Sequence, residues 1–278
     1  MPAHRKLAAY AAVLLVVFGA ATAAGAAMEP TGLATVEPDT AEHGGMPEGM
    51  VPGLAAADEG LRLVADHDTH PAGATTPYRF RIVDEDGPVT DFDIEHTKPM
   101  HLIVVRRDFA GFQHLHPDMA ADGTWETPLR LDGAGAYRVF ADFVIDGDKH
   151  TLGTDLFVSG AFDPQPLPEP ALRADAGDGY TVEIAGRPVA GEETELEFVI
   201  RRHGRVITEI PEYLGARGHL VALRTGDLGY LHVHADEDRL AFEADFPTAG
   251  AYRLFLQFQH DGEVRTAAFT VDVAEETR

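Results

Sequence analysis

His101-Leu-Ile-Val-Val-Arg106 followed by Gly111-Phe-Gln-His-Leu-His116 returns 118 residues later as His219-Leu-Val-Ala-Leu-Arg224 followed by Gly229-Tyr-Leu-His-Val-His234. Each copy opens with a run that is apolar on both faces, as a central strand requires. A short connection then leads to a second strand carrying His-x-His. Pro71–His116 aligns without a gap with Val189–His234, and twelve of these forty-six positions are identical. Duplication is the simplest account, and it implies two domains on one plan.

Reading outward, Tyr78, Phe80 and Ile82 alternate with Arg79 and Arg81, and Leu196, Phe198 and Ile200 alternate with Glu195, Glu197 and Val199. Period-two patterning of this kind marks half-buried strands. Gly135-Ala-Tyr-Arg-Val-Phe140 and Gly250-Ala-Tyr-Arg-Leu-Phe255 repeat as a further strand, each running toward an Asp-Gly hairpin turn at Asp146-Gly147 and Asp261-Gly262. No amphipathic helix of three turns follows residue 58. The expected fold is therefore all-β: two tandem immunoglobulin-like β-sandwich domains, residues 58–160 and 172–274. A proline-rich linker, residues 161–171, joins them. A chain of 278 residues, 45% hydrophobic and 24% charged, is long enough for two such cores.

The first 27 residues differ. Arg5 and Lys6 precede an apolar run from Leu7 to Ala20 and a small-residue stretch to Ala27, which reads as a signal peptide cleaved after Ala23, Ala26 or Ala27. The same run is about the ~20 residues that a spanning helix needs, so an N-terminal membrane anchor is the alternative. Either reading places the remainder outside the cytoplasm, secreted or held at the cytoplasmic membrane. Residues 28–57 read as a disordered tether and include His43-Gly-Gly-Met46-Pro-Glu-Gly-Met50. The absence of cysteine excludes disulfides and thiolate metal sites. A formal charge of −24, spread over both domains with no basic stripe, excludes a nucleic-acid partner.

His114 and His116 lie two apart on a strand and so share a face. In the simplest hairpin register Ile103 opposes His114 and His101 opposes His116, which gathers three imidazoles within reach of one metal ion. His219, His232 and His234 repeat the pattern and would form a second site. Imidazole suits copper and zinc, with affinity rising toward Cu²⁺. Met100 and Met119 flank the first histidine set and are candidate thioether ligands for Cu(I). The competing reading makes these histidines structural, bonded to buried backbone. His67, His70, His150 and His260 are expected at the surface.

No Gly-x-Ser-x-Gly elbow, phosphate loop or dinucleotide fingerprint is present, and no nucleophile has an evident base. The ligand sets of copper–zinc superoxide dismutases and cupins are incomplete here, so no enzyme class is assigned. The motifs His101-Leu-Ile-Val-Val-Arg-Arg-Asp108 with Gly111-Phe-Gln-His-Leu-His-Pro117, and Gly218–Arg224 with Tyr230-Leu-His-Val-His234, resemble those of a family of exported, mostly uncharacterised bacterial proteins with paired repeats. More distantly the domains resemble immunoglobulin-like modules of periplasmic copper-handling proteins. The expectation is an extracytoplasmic metal-binding protein, for copper before zinc, acting in sequestration or transfer with a membrane-bound transporter or another extracytoplasmic protein as partner. The alternative is a metal-free interaction module.

Overall fold

The computed structural model describes residues 51–231, 233–236 and 238–275, so the leader, most of the tether with its His43–Met50 segment, and His232 lie outside the described residues. Among the described residues there is no helix, and hence none long and apolar enough to cross a membrane.

The first domain runs β1 (Ala57–Asp58), β2 (Leu61–Ala65), β3 (Thr69–His70), β4 (Thr75–Val83), β5 (His101–Arg106), β6 (Gln113–Leu115), β7 (Asp118–Met119), β8 (Trp125–Arg130), β9 (Gly135–Ile145) and β10 (Asp148–Val158). The second runs β11 (Arg173–Asp175), β12 (Tyr180–Ala185), β13 (Glu193–Arg202), β14 (Arg205–Val206), β15 (His219–Arg224), β16 (Tyr230–Leu231), β17 (Val233–Ala235), β18 (Ala241–Asp245), β19 (Gly250–His260) and β20 (Glu263–Val273). Sheet orders are β1-β2-β4-β8-β7 and β3-β10-β9-β5-β6 in the first domain, and β11-β12-β13-β18-β17 and β16-β15-β19-β20 in the second. The order β2-β4-β8-β7 opposite β5-β9-β10 is the ABED and CFG arrangement of the immunoglobulin sandwich. Two tyrosine corners support it. Tyr137 Oη donates to Gly133 O at 2.8 Å and Tyr252 Oη to Thr248 O at 2.9 Å, each at the start of the F-equivalent strand. Both Asp-Gly turns are two-residue hairpins with positive φ at Asp146, Gly147, Asp261 and Gly262.

Each sandwich has its own core. Phe80, Ile82, Met100, Leu102, Val104 and Trp125 lie in the first. Tyr180, Phe198, Leu220, Ala222, Phe246 and Phe269 lie in the second. A third cluster explains why β5 and β15 are apolar on both faces: Ile103, Val105 and Phe140 pack against Val221, Leu223, Tyr230 and Phe255 of the other domain. The contact repeats about a pseudo-twofold. Phe112 stacks on Phe255 with ring centroids 4.0 Å apart, and the matching pair Tyr230 and Phe140 are 5.4 Å apart.

The end of the tether is built into this joint. Pro52 O accepts from Tyr230 N at 3.0 Å, Gly53 N donates to Thr151 O at 2.9 Å, and Ala55 O accepts from Gly153 N at 2.8 Å. The buried Arg138 guanidinium donates twice to Gly53 O, from Nε at 3.2 Å and Nη2 at 2.7 Å. A Cβ on residue 153 would stand 2.0 Å from Gly53 O, so this close approach requires Gly153. The linker is pinned as well: Arg106 donates to Asp163 O, and Asp108 accepts from Gln165 N.

Of the histidines expected at the surface, His67 is exposed, whereas His70 and His150 are buried. His70 bonds Leu129 O at 3.0 Å, and His150 stacks on Phe143. Short polar strand ends that tuck under a neighbouring strand are not visible in local sequence.

Candidate metal centre

Strand alternation decides which side chains reach the joint. On β5, Met100, Leu102 and Val104 turn into their own sandwich, while His101, Ile103 and Val105 face the other domain. β6 pairs with β5 in the anticipated register, Ile103 opposite His114, so His114 lies on the same face. After Leu115 the chain leaves this sheet for the outer one, where β7 pairs with β8 from Asp118 onward. His116 sits at that crossing.

The three rings meet. Centroids are 5.3 Å apart for His101–His114, 5.0 Å for His101–His116 and 4.8 Å for His114–His116. Imidazoles sharing one tetrahedral ion at Zn–N distances of about 2.0–2.1 Å have centroids about 5 Å apart. One ring nitrogen from each of the three lies within 4.8 Å of the others.

Hydrogen bonding fixes the tautomers. His101 Nε2 lies 3.1 Å from Glu95 O, a group that only accepts, so Nε2 carries the proton and Nδ1 the lone pair. His114 Nδ1 donates to Gln257 Oε1 of the second domain at 2.9 Å, which leaves Nε2 unprotonated. Those two lone-pair nitrogens, His101 Nδ1 and His114 Nε2, face each other at 3.1 Å. The third ring contributes His116 Nε2, buried with no hydrogen-bond partner. Outward donation to a carbonyl or amide with the inward nitrogen bare is how metal-ligating imidazoles are held.

Burial lowers all three histidines, and neighbouring imidazoles add to it: His96 beside His101, His101 and His116 beside His114, and His101 beside His116. His101 falls below its ordinary value, His114 well below it, and His116 to about 3. They are neutral at pH 7, the form that binds metal.

His219 occupies the place of His101 in the second domain. Its Nε2 donates to Tyr213 O at 2.8 Å, just as His101 Nε2 bonds Glu95 O. Burial lowers it to about 4. Both carbonyls belong to two-residue turns, Glu95–Lys98 and Tyr213–Ala216, that close on themselves by backbone bonds. Among the described residues, which leave out His232, His219 joins no second three-histidine group. Its ring faces the first set, 5.9 Å from His114 and 6.4 Å from His101.

His234 stands exposed on the outer sheet, on β17 opposite Glu243. Prolines account for this difference between the copies. Pro117 and Pro128 lack the N–H that a ladder needs, so in the first domain outer-sheet pairing begins only at Asp118. Ala235 and Glu243 occupy the matching positions in the second domain, and pairing reaches back to Val233.

The methionines also depart from expectation. Met100 is fully buried in the first core, because the residue before His101 must point to the opposite face. Met119 packs against that same core. Residues the sequence reading missed are His96 and Gln257. His96 lies 5.4 Å from the His219 ring and 6.2 Å from that of His101, in the two-residue turn where the other copy has Leu214. Gln257 stands opposite His219 on β19, as Asp142 stands opposite His101 on β9. The available signal was the apolar outer face of β5 and β15, which demands a cover. A cavity of about 50 Å³ lies between the domains here, lined in part by His96, His101, His114, His219, Asp142 and Glu95. Lys149 bridges both carboxylates, at 3.0 Å from Glu95 and 3.5 Å from Asp142.

A family profile described as a domain of unknown function (DUF8832) matches the chain twice, over residues 55–160 and 174–275. No curated protein matches. Among solved structures, an alpha-2-macroglobulin from Salmonella aligns at 14% identity and a TM-score of 0.29, over 81% of this chain and 15% of that one. The Escherichia coli adhesin FdeC aligns at 18% identity and a TM-score of 0.26, over 82% of this chain and 67% of that one. The surface layer protein SbsC, domains 4–9, aligns at 12% identity and a TM-score of 0.25, over 77% and 31%. This chain thus spans a small part of the macroglobulin.

Proposed function

The chain belongs to the DUF8832 family, with one copy of the domain in each sandwich, and we propose that it is an extracytoplasmic metal-binding protein that holds or passes on an ion through His101, His114 and His116. One observation carries this reading: three neutral imidazoles with ligand atoms within 4.8 Å, two presenting lone pairs to each other at 3.1 Å. With Gln257 Oε1 accepting from His114 Nδ1, the two inward nitrogens are placed to hold a cation between them. A proton is disfavoured because burial lowers all three rings.

The donor set is nitrogen, with Met100 buried in the core and Met119 packed against it. Cu²⁺ and Zn²⁺ suit it, with copper first by the Irving–Williams order, and Cu(I) loses the thioether support that sequence suggested. The role is sequestration or delivery rather than catalysis, with a membrane-bound transporter or another extracytoplasmic protein as recipient. The basic and apolar leader supports the compartment.

Titration of the full chain with Cu(II), Zn(II) and Cu(I), beside a His101→Ala/His114→Ala/His116→Ala variant, tests this. One equivalent of Cu(II) or Zn(II) bound by the intact chain and lost in the variant is the expected result. Absence of tight binding, or binding indifferent to the substitutions, would leave a metal-free interaction module.

A further inference from the structure

We infer that the ion held by the three histidines of the first domain takes His219 of the second as its fourth ligand, so that a single site is shared across the joint; this rests on the metal reading above. The duplicated sequence suggests two equal sites. The fold instead turns His234 onto the outer sheet and points His219 at the first set.

Three observations support His219 in this role. Its Nε2 is engaged by Tyr213 O in the same way that Glu95 O engages His101, so its Nδ1 is the nitrogen left for a ligand. Its ring lies 5.9 Å from His114 and 6.4 Å from His101, roughly 1 Å beyond the spacing of about 5 Å for imidazoles on one tetrahedral ion. The space between is a cavity of about 50 Å³ bordered by His101, His114 and His219, with Val221, Tyr230 and Phe242 also in its wall.

The second domain already serves the first set by another route. Gln257, the cross-strand neighbour of His219, accepts the proton of His114 Nδ1. The two domains therefore divide the work: the first supplies three nitrogens, and the second supplies one nitrogen and the group that orients His114. Four imidazoles close the coordination sphere, which fits a holding site rather than a hydrolytic one, since zinc hydrolases keep a position for water.

Co(II) is the probe, because its visible absorption reports coordination number. Full chain, His219→Gln, His219→Ala and the triple variant would each be titrated, with circular dichroism confirming that each is folded. The expected result is one equivalent of Co(II) with an intense tetrahedral spectrum in the intact chain. Both His219 variants should show a weaker band of higher coordination number, and binding weaker by about tenfold or more. Pulsed EPR of the Cu(II) form should count one fewer imidazole in His219→Gln than in the intact chain. An unchanged spectrum, affinity and imidazole count in the His219 variants, with binding still lost in the triple variant, would overturn the shared site and leave the three-histidine reading standing. No Co(II) or Cu(II) binding to the intact chain would overturn both.

Discussion

His116 shows how one residue's chemistry depends on its neighbours in the chain. Pro117 behind it and Pro128 across from it deny the outer sheet a ladder at this point, and the ring turns inward to the other two histidines with Nε2 unpartnered. The same burial makes the metal-free protein acid-sensitive. His116 and His219, at about 3 and about 4, are neutral when folded. In the unfolded chain they take up protons near the ordinary value of about 6.5. The unfolded state thus binds more protons once pH falls below about 6.5, and stability declines from there toward pH 4. Thermal melts of metal-free protein should be flat from pH 7 to 8 and fall steadily between pH 6.5 and 4, with the fall reduced in His219→Gln. A melting temperature independent of pH over that range would show that these rings are not held neutral by burial. Bound metal should be released over the same acid range, as protons compete for the imidazoles.

At the scale of strands, the plan of each sandwich was largely legible. Alternation placed β4 and β13, the doubly apolar runs placed β5 and β15, and Asp-Gly pairs placed the β9–β10 and β19–β20 turns. The register of β5 on β6 also followed from the length of their connection. What local sequence did not show was the point at which a strand changes sheets. That point lies after Leu115 in one copy and before Val233 in the other, although both read as His-x-His strands. The tyrosine corners tie strand to loop in both copies by a single hydrogen bond from a side chain largely inside the core. Tyr137→Phe and Tyr252→Phe should each lower stability by about 1 kcal/mol in urea unfolding, additively because the corners lie in different domains. An effect near zero for both would mean that the ring alone, without its hydroxyl, sets the corner.

At the scale of the molecule, the four sheets form successive layers, with the inner two meeting through Ile103, Val105, Val221, Leu223 and the Phe112–Phe255 stack. The sequence announced this layer through runs with no polar face, but a run of that kind also suits a strand buried within its own domain. For that reason His219 was legible as a candidate ligand and not as a neighbour of the first domain's histidines. Phe112→Ala removes one of the two aromatic pairs across the joint and should cost about 3 kcal/mol. Calorimetry should then resolve two unfolding transitions where the intact chain gives one, and a single transition at lower temperature would show that the domains remain fused without the stack. The segment from Pro52 to Ala55 adds a mechanical property. It is bonded to β10 of one domain and to Tyr230 of the other, with Arg138 gripping Gly53 O beneath. A pull on the chain ahead of Val51 is therefore delivered to the seam between the halves instead of to either half alone. The histidine cavity, walled partly by Tyr230, lies along that same seam.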